Sequence, residues 1–209
     1  MENVMLDPLP TEWNGYKVNA SFRIGMQVHS VSYDKSLSDY EKTGIIIDLL
    51  FNDRDYPREE QFEECLRWFL SGWYHDHAEG ESEGLRYIDY DIDQWRIYAD
   101  FRQIYGINLS LEDMHWWMFC GLLWNMPYEQ STTLQVIGIR KREVTDGMKP
   151  AERKALVESK KLYEIEQLEV KREYTREQEK AIDDYDQMMA AIKAKKQAEK
   201  EAIEQFRKG

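Results

Sequence analysis

Four groups of side chains in the 209-residue sequence carry functional groups that could bind metal or do chemistry. His75 and His77, with Asp76 and Glu79 beside them, offer imidazole and carboxylate, an adequate zinc donor set. Residues two apart point to nearly opposite sides of a helix, so both rings converge only from a strand or a loop. The stretch 75–86 is polar and glycine-bearing and reads as a solvated loop. Asp89, Asp91 and Asp93, with Asp100 at the twelfth position, have the alternation of a calcium loop. The turn glycine is missing, Gln94 standing in its place, and the twelfth residue is Asp rather than a bidentate Glu. Capping of a helix N-terminus by Asp91 or Asp93 is the better account. His115 and Cys120 supply a base and a thiol, but five residues on a helix leave them about 140° apart, which separates the side chains. No Asp or Asn is placed to orient the imidazole, so His115 reads as a packed or partly exposed histidine. Lys193, Lys195, Lys196, Lys200, Arg207 and Lys208 make the terminal stretch basic. The ordinary reading is a solvated helical face; a contact with an acidic partner or nucleic acid is the other. Glycine-rich phosphate loops and serine triads are absent, and a non-enzymatic protein without metal or cofactor is expected.

The elements that would position these groups are mostly helical. Asn14-Gly15, flanked by Trp13 and Tyr16, has the residue pair of a tight hairpin turn, so a small N-terminal hairpin is expected. Phe22, Met26 and His29 recur at helical spacing, with Asn19 or Ser21 as cap, and predict a helix over 20–33. Ser38 or Asp39 begins a second, ended by Asn52-Asp53. Pro57 suits the first turn of a third, whose apolar face is Phe62, Cys65, Leu66, Phe69, Leu70 and Trp73, with Gly72 as its stop. A helix from Gln94 to Tyr105 ends at Gly106. Ser110 and Asp113 form a capping box before Met114 to Trp124, a run apolar nearly all round and therefore a central core helix or one covered by a partner. A shorter helix follows Ser131-Thr132-Thr133. From Ala151 onward the sequence reads as long helix.

Charge divides the chain as well. Residues 149–209 hold 15 basic and 14 acidic side chains, and residues 1–148 hold 13 and 26, so the net charge of −12 resides in the first part. All 7 Trp lie at or before Trp124. The expected organisation is an acidic, aromatic-rich helical globule over 1–148 and a charged helical extension over 149–209. An acidic globule repels a phosphate backbone, which disfavours nucleic acid. No apolar run approaches the ~20 residues that cross a bilayer, and the N-terminus lacks the pattern of a signal segment, so a cytosolic protein is expected. Cys65 and Cys120 sit in apolar helical patterns and are expected to be reduced and buried.

Within the extension, Ile182, Tyr185, Met189, Ile192, Ile203 and Phe206 fall on the a and d positions of a seven-residue repeat that Lys196 and Glu199 interrupt, too short a seam to establish a coiled coil. A helix this polar is marginal alone in water. The extension is therefore expected to dock on its own globule, on a second copy or on a partner.

The succession Tyr90-Asp91-Ile92-Asp93, Ile97 to Phe101, Tyr105 to Leu109 and Met114 to Phe119 with Leu122-Leu123 resembles a family of small proteins of phages that infect Gram-positive bacteria. The Trp13 to Tyr16 hairpin, the Phe22-Arg23 pair and the Pro57 to Gly72 helix belong to the same resemblance, which spans roughly residues 6 to 165. In such phages the gene lies just before the tape-measure gene, in the slot of tail assembly chaperones. The resemblance implies a helical, non-enzymatic protein of tail morphogenesis with the tape-measure protein, and the tail tube protein beside it, as partners. A tape-measure chain is long and largely helical, and its apolar stripes would aggregate unless covered. The alternatives are a structural component kept in the tail or its initiator complex, and a regulatory or nucleic-acid-associated protein acting through the basic C-terminal stretch.

The expected fold is thus mainly α, a compact helical domain with a small N-terminal β-hairpin and a long C-terminal helical extension. Trp116, Trp117 and Trp124 in the globule, and the six seam residues of the extension, are the candidates for partner binding.

Overall fold

The structure, a computed structural model, describes residues 4–52, 55–71, 86–165 and 174–208, with side chains of the last helix described as far as Ile203. It is mainly helical. Strands β1 (Glu12–Trp13) and β2 (Tyr16–Lys17) form an antiparallel hairpin in which Trp13 pairs with Tyr16. Asn14 and Gly15 turn it, both at positive φ, 47° and 90°.

The first two helices start and stop where local chemistry directs. Helix α1 (Phe22–Ser32) is capped by Ser21, whose hydroxyl accepts from the Arg23 N–H. Helix α2 (Asp39–Phe51) begins with a complete capping box between Ser38 and Glu41 and ends on Asn52 in the left-handed region. Helix α3 (Glu59–Ser71) starts two residues after a buried Pro57, with Glu59 and Glu60 at its positive end. The expected stop at Gly72 and the apolar Trp73 lie outside the described residues.

Helix α4 (Gln94–Asp100) continues as a five-residue π-helical turn, Phe101–Tyr105, until Gly106 takes a positive φ of 74°. The predicted helix 94–105 is present, but its last turn is widened. Tyr105 reaches from there to donate its hydroxyl to the Leu122 carbonyl at 2.9 Å.

Helix α5 (Trp116–Trp124) is the centre of the core: Trp116, Trp117, Phe119, Cys120 and Leu123 are buried. Phe119 stacks on Phe22 and on Phe101, each at 5.1 Å, and on Trp116 at 5.7 Å. The predicted capping box from Ser110 and Asp113 does not form. The helix starts later, and His115 is its cap, accepting the Trp117 N–H at Nδ1 while Nε2 lies 2.8 Å from the Pro10 carbonyl. That pattern assigns the ring proton to Nε2. Asp113 instead accepts from the Ser21 hydroxyl and the Arg23 guanidinium, which also donates to the Leu109 and Glu112 carbonyls. Arg23 thus clamps the chain leading into α5 onto α1. Trp116 N–H to Ala20 O and Phe22 N–H to Met114 O complete a short bridge between the segments that precede α1 and α5.

Helix α6 (Thr132–Lys141) is capped by its own Ser131, and its first N–H groups are also met by the buried Asp100 carboxylate. The long helix expected from Ala151 is two helices, α7 (Pro150–Leu162) and α8 (Arg176–Lys208). Helix α7 packs on α6 through buried Leu156, and the Lys160 ammonium donates to the Arg140 and Arg142 carbonyls at the end of α6.

Candidate partner-binding surface

The polar residues that suggested chemistry are mostly used to join elements. The Asp93 carboxylate, 1% exposed, accepts both terminal nitrogens of Arg140, at 2.6 and 3.0 Å, together with Arg96 and the Asp89 N–H. Arg140 also donates to the Tyr87 and Tyr163 carbonyls, so one guanidinium ties α4, α6 and the end of α7 together. Asp93 stands at the N-cap position, yet its side chain does not cap the helix; the Asp89 carboxylate closes the preceding turn by accepting the Asp91 and Ile92 N–H groups. The capping expected of Asp91 or Asp93 is overruled because a buried carboxylate gains more from a bidentate cation than from a partial helix charge. Asp100 is likewise spent on Ser131, Thr132 and Thr133.

His75 and His77 lie outside the described residues, among which no cluster of three or more His, Cys, Asp or Glu could hold a metal. Cys65 and Cys120 are free and buried, and burial pushes both thiols up, Cys65 to about 12. A thiol held protonated is a poor nucleophile.

The tryptophan candidates divide by exposure. Trp116 is buried among Phe69, Tyr90 and Phe119. It lies so close to α1 that a Cβ at Gly25 would fall 2.1 Å from its ring, so only glycine lets these helices approach. Trp117 is buried edge-on to Trp68 and donates its indole N–H to the Phe69 carbonyl at 2.8 Å. Both have spent their surface inside the globule. Trp124 is half-buried, with the Lys141 ammonium 5.8 Å from its ring centroid.

The seam of α8 lies against the globule, the first of its three expected partners. Ala181, Ile182, Tyr185, Met189, Ile192 and Lys196 are half-buried along one face, at helical spacing. That face meets α2 and α3. The Tyr185 hydroxyl is 2.7 Å from Thr43 Oγ1, and its ring sits edge-on to Tyr40 at 5.7 Å. Tyr174, just before α8, donates to the Glu41 carboxylate. Lys196 donates to the Glu60 carbonyl at 2.9 Å, with the Glu63 and Glu64 carboxylates at 3.8 and 3.9 Å. One member of the basic cluster is therefore engaged by the acidic start of α3. Beyond it Ile203 is 56% exposed, and the Phe206, Arg207 and Lys208 side chains lie outside those described.

The fit is incomplete. A cleft of about 510 Å³ remains between α2, α3 and α8, with Ile46, Phe62 and Leu66 on the globule side, Tyr185 and Met189 on the α8 side, and Asp39, Glu59 and Glu63 in its wall. Periodicity alone showed the seam; its seat depends on residues about 140 positions away and had no local signal.

Among the described residues no helix is long and apolar enough to cross a membrane. No curated protein and no solved structure matches the chain. A protein-family model does match, over residues 5–165, which takes in every element from the hairpin to α7 and leaves α8 outside. By that match the chain belongs to the family described as bacteriophage Gp15 protein.

Proposed function

We propose that the chain is a tail assembly chaperone of a phage of Gram-positive bacteria, encoded just before the tape-measure gene. It binds the tape-measure protein and keeps it soluble in the host cytoplasm until the tube grows around it, and it performs no catalysis. The observation that carries this reading is an amphipathic helix, α8, lying in a groove of a phage-family globule. A groove that holds one such helix uses the geometry by which apolar stripes of helical clients are covered. The charge of −12 supports the same role, because self-repulsion keeps a coated assembly dispersed.

Co-expression with the tape-measure protein tests the reading. The expected outcome is a soluble complex of the two; a tape-measure protein equally insoluble with and without this chain removes it. Mass spectrometry of purified virions adds the second test. The chaperone leaves before maturation, so stoichiometric retention in particles would replace it with a structural tail component.

A further inference from the structure

The groove between α2 and α3 belongs to the stretch that the family model covers, whereas the helix lying in it does not. Groove and occupant are thus separable parts of the sequence. The occupant is shallowly seated: none of the described side chains of α8 is fully buried, and its best placed residues are half-buried. It leaves the cleft beside Tyr185 and Met189 unfilled. Its ion pairs to α3 are long and exposed, Lys196 at 40% and Glu64 at 59%, and pairs of this kind hold little against solvent.

The chemistry of the groove also specifies what fits it. Its floor is apolar, from Ile46, Phe62 and Leu66; Glu59 and Glu63 make its α3 wall acidic, with Lys42 paired to Asp39 on the α2 side, and Glu60 and Glu64 meet Lys196 at its end. The helix that lies there presents apolar side chains at the spacing of Ile182, Tyr185, Met189 and Ile192, then a lysine at position 196. The break in the seven-residue pattern at Lys196 coincides with the acidic start of α3, so sequence pattern and groove end together.

We propose that the α2–α3 groove is a helix-binding site that α8 fills in cis as a displaceable guard. Its ligand is a partner's amphipathic helix bearing the same apolar spacing followed by a lysine. The proposal deepens the chaperone reading and rests on it for the biological client, but the groove is tested without that client. While α8 is seated, the apparent affinity for an incoming helix is lowered in proportion to the fraction of molecules with the groove open. The guard keeps the apolar floor covered until a better-fitting helix arrives.

The probe is a fluorescein-labelled peptide of residues 176–203, titrated into two full-length proteins, the native chain and Met189→Asp. The substitution lies on α8 and puts a charge on its seated face, while near-ultraviolet circular dichroism checks that the globule is unchanged. The Met189→Asp chain is expected to bind the peptide at least about tenfold more tightly, the factor released when a groove closed nine times in ten is opened. Equal affinities overturn the proposal. Adding Glu63→Lys and Glu64→Lys to Met189→Asp sets two like charges against Lys196 and should weaken that binding several-fold, and full retention would overturn the assigned groove. Sedimentation of the native chain supplies the last arm. A monomer supports occupancy in cis, whereas a dimer that Met189→Asp dissolves would place α8 in a second copy and overturn the guard. The titration can fail while co-expression still yields a soluble tape-measure complex, and the reverse, so the two readings are separately refutable.

Discussion

Helices α5 and α8 both stand out in the sequence by their apolar residues, and the protein uses them in opposite ways. Helix α5 has nine residues, five of them buried, and its rings stack against side chains from α1, α3 and the π-helical turn. Helix α8 has 33 residues, which makes it about 50 Å long, and none of its described side chains is buried. The longer helix is the less committed one. Helix length and propensity do not anchor a helix; surface removed from water does, at roughly 25 cal/mol per Å² of apolar area. What α8 keeps exposed is what makes it exchangeable, and what α5 has buried makes it unavailable to a partner.

This contrast can be broken most directly at α5. Phe119→Ala removes the ring shared by Phe22, Phe101 and Trp116 and should cost about 4 kcal/mol, a large part of the roughly 5–15 kcal/mol that holds a domain of ordinary stability. Urea denaturation followed by tryptophan fluorescence measures it, and a loss below about 1 kcal/mol would mean that α5 is not the core. Next in size is Arg140→Ala, which leaves Asp93 buried with only Arg96 as ion partner. The expected loss is about 3 kcal/mol in the same assay, because a buried charge deprived of its main partner keeps its desolvation penalty.

Acid should also act on the globule rather than on α8. Burial, with the Arg86 guanidinium adding to it and Asp89 opposing, lowers the His29 pKa from 6.5 to about 4. The folded state therefore holds His29 neutral where the unfolded chain already binds a proton. Stability is full above pH 6.5 and falls as pH drops from there towards 4. His29→Gln should flatten that part of the stability profile, and an unchanged slope would assign acid sensitivity to other groups.

The smaller effects belong to α8. A chain ending at residue 165 keeps α7, with Leu156 and Lys160 on α6, and should unfold cooperatively within about 1 kcal/mol of the full protein, since shallowly seated elements open independently. A much larger loss would show that α8 completes the core. Tyr185→Phe deletes only the hydroxyl contact with Thr43. It should raise amide hydrogen exchange over residues 182–192 by a factor matching about 0.5–1 kcal/mol, with exchange in α5 untouched.

How much of this is legible in the sequence depends on where each residue's partner lies in the chain. The Asn14-Gly15 turn, the Ser21 and Asn52 helix ends and the stop at Gly106 are legible, because their cause is a residue's own backbone preference or a neighbour within four positions. The cap of α5 is not, for the converse reason. Ser110 and Asp113 have the right local spacing, but Asp113 is claimed by Arg23 and Ser21, about 90 residues earlier. Of the candidate surface, the seam of α8 is visible as a period, while its seat on α2 and α3, and the interior placement of Trp116 and Trp117, are not.

The sequence by itself determined the helical class, the N-terminal hairpin, most helix starts and stops, and the charge division between the first 148 residues and the rest. These follow from short-range sterics, capping and composition, which act before the chain collapses. Only the tertiary structure decided that Asp93 and Asp100 join helices, that Gly25 is demanded by the Trp116 ring, and that α8 lies on the α2–α3 groove and not free. Those outcomes depend on which distant groups compete for the same buried carboxylate, ring or groove. That competition is settled by desolvation and close packing, which exist only once the helices have met.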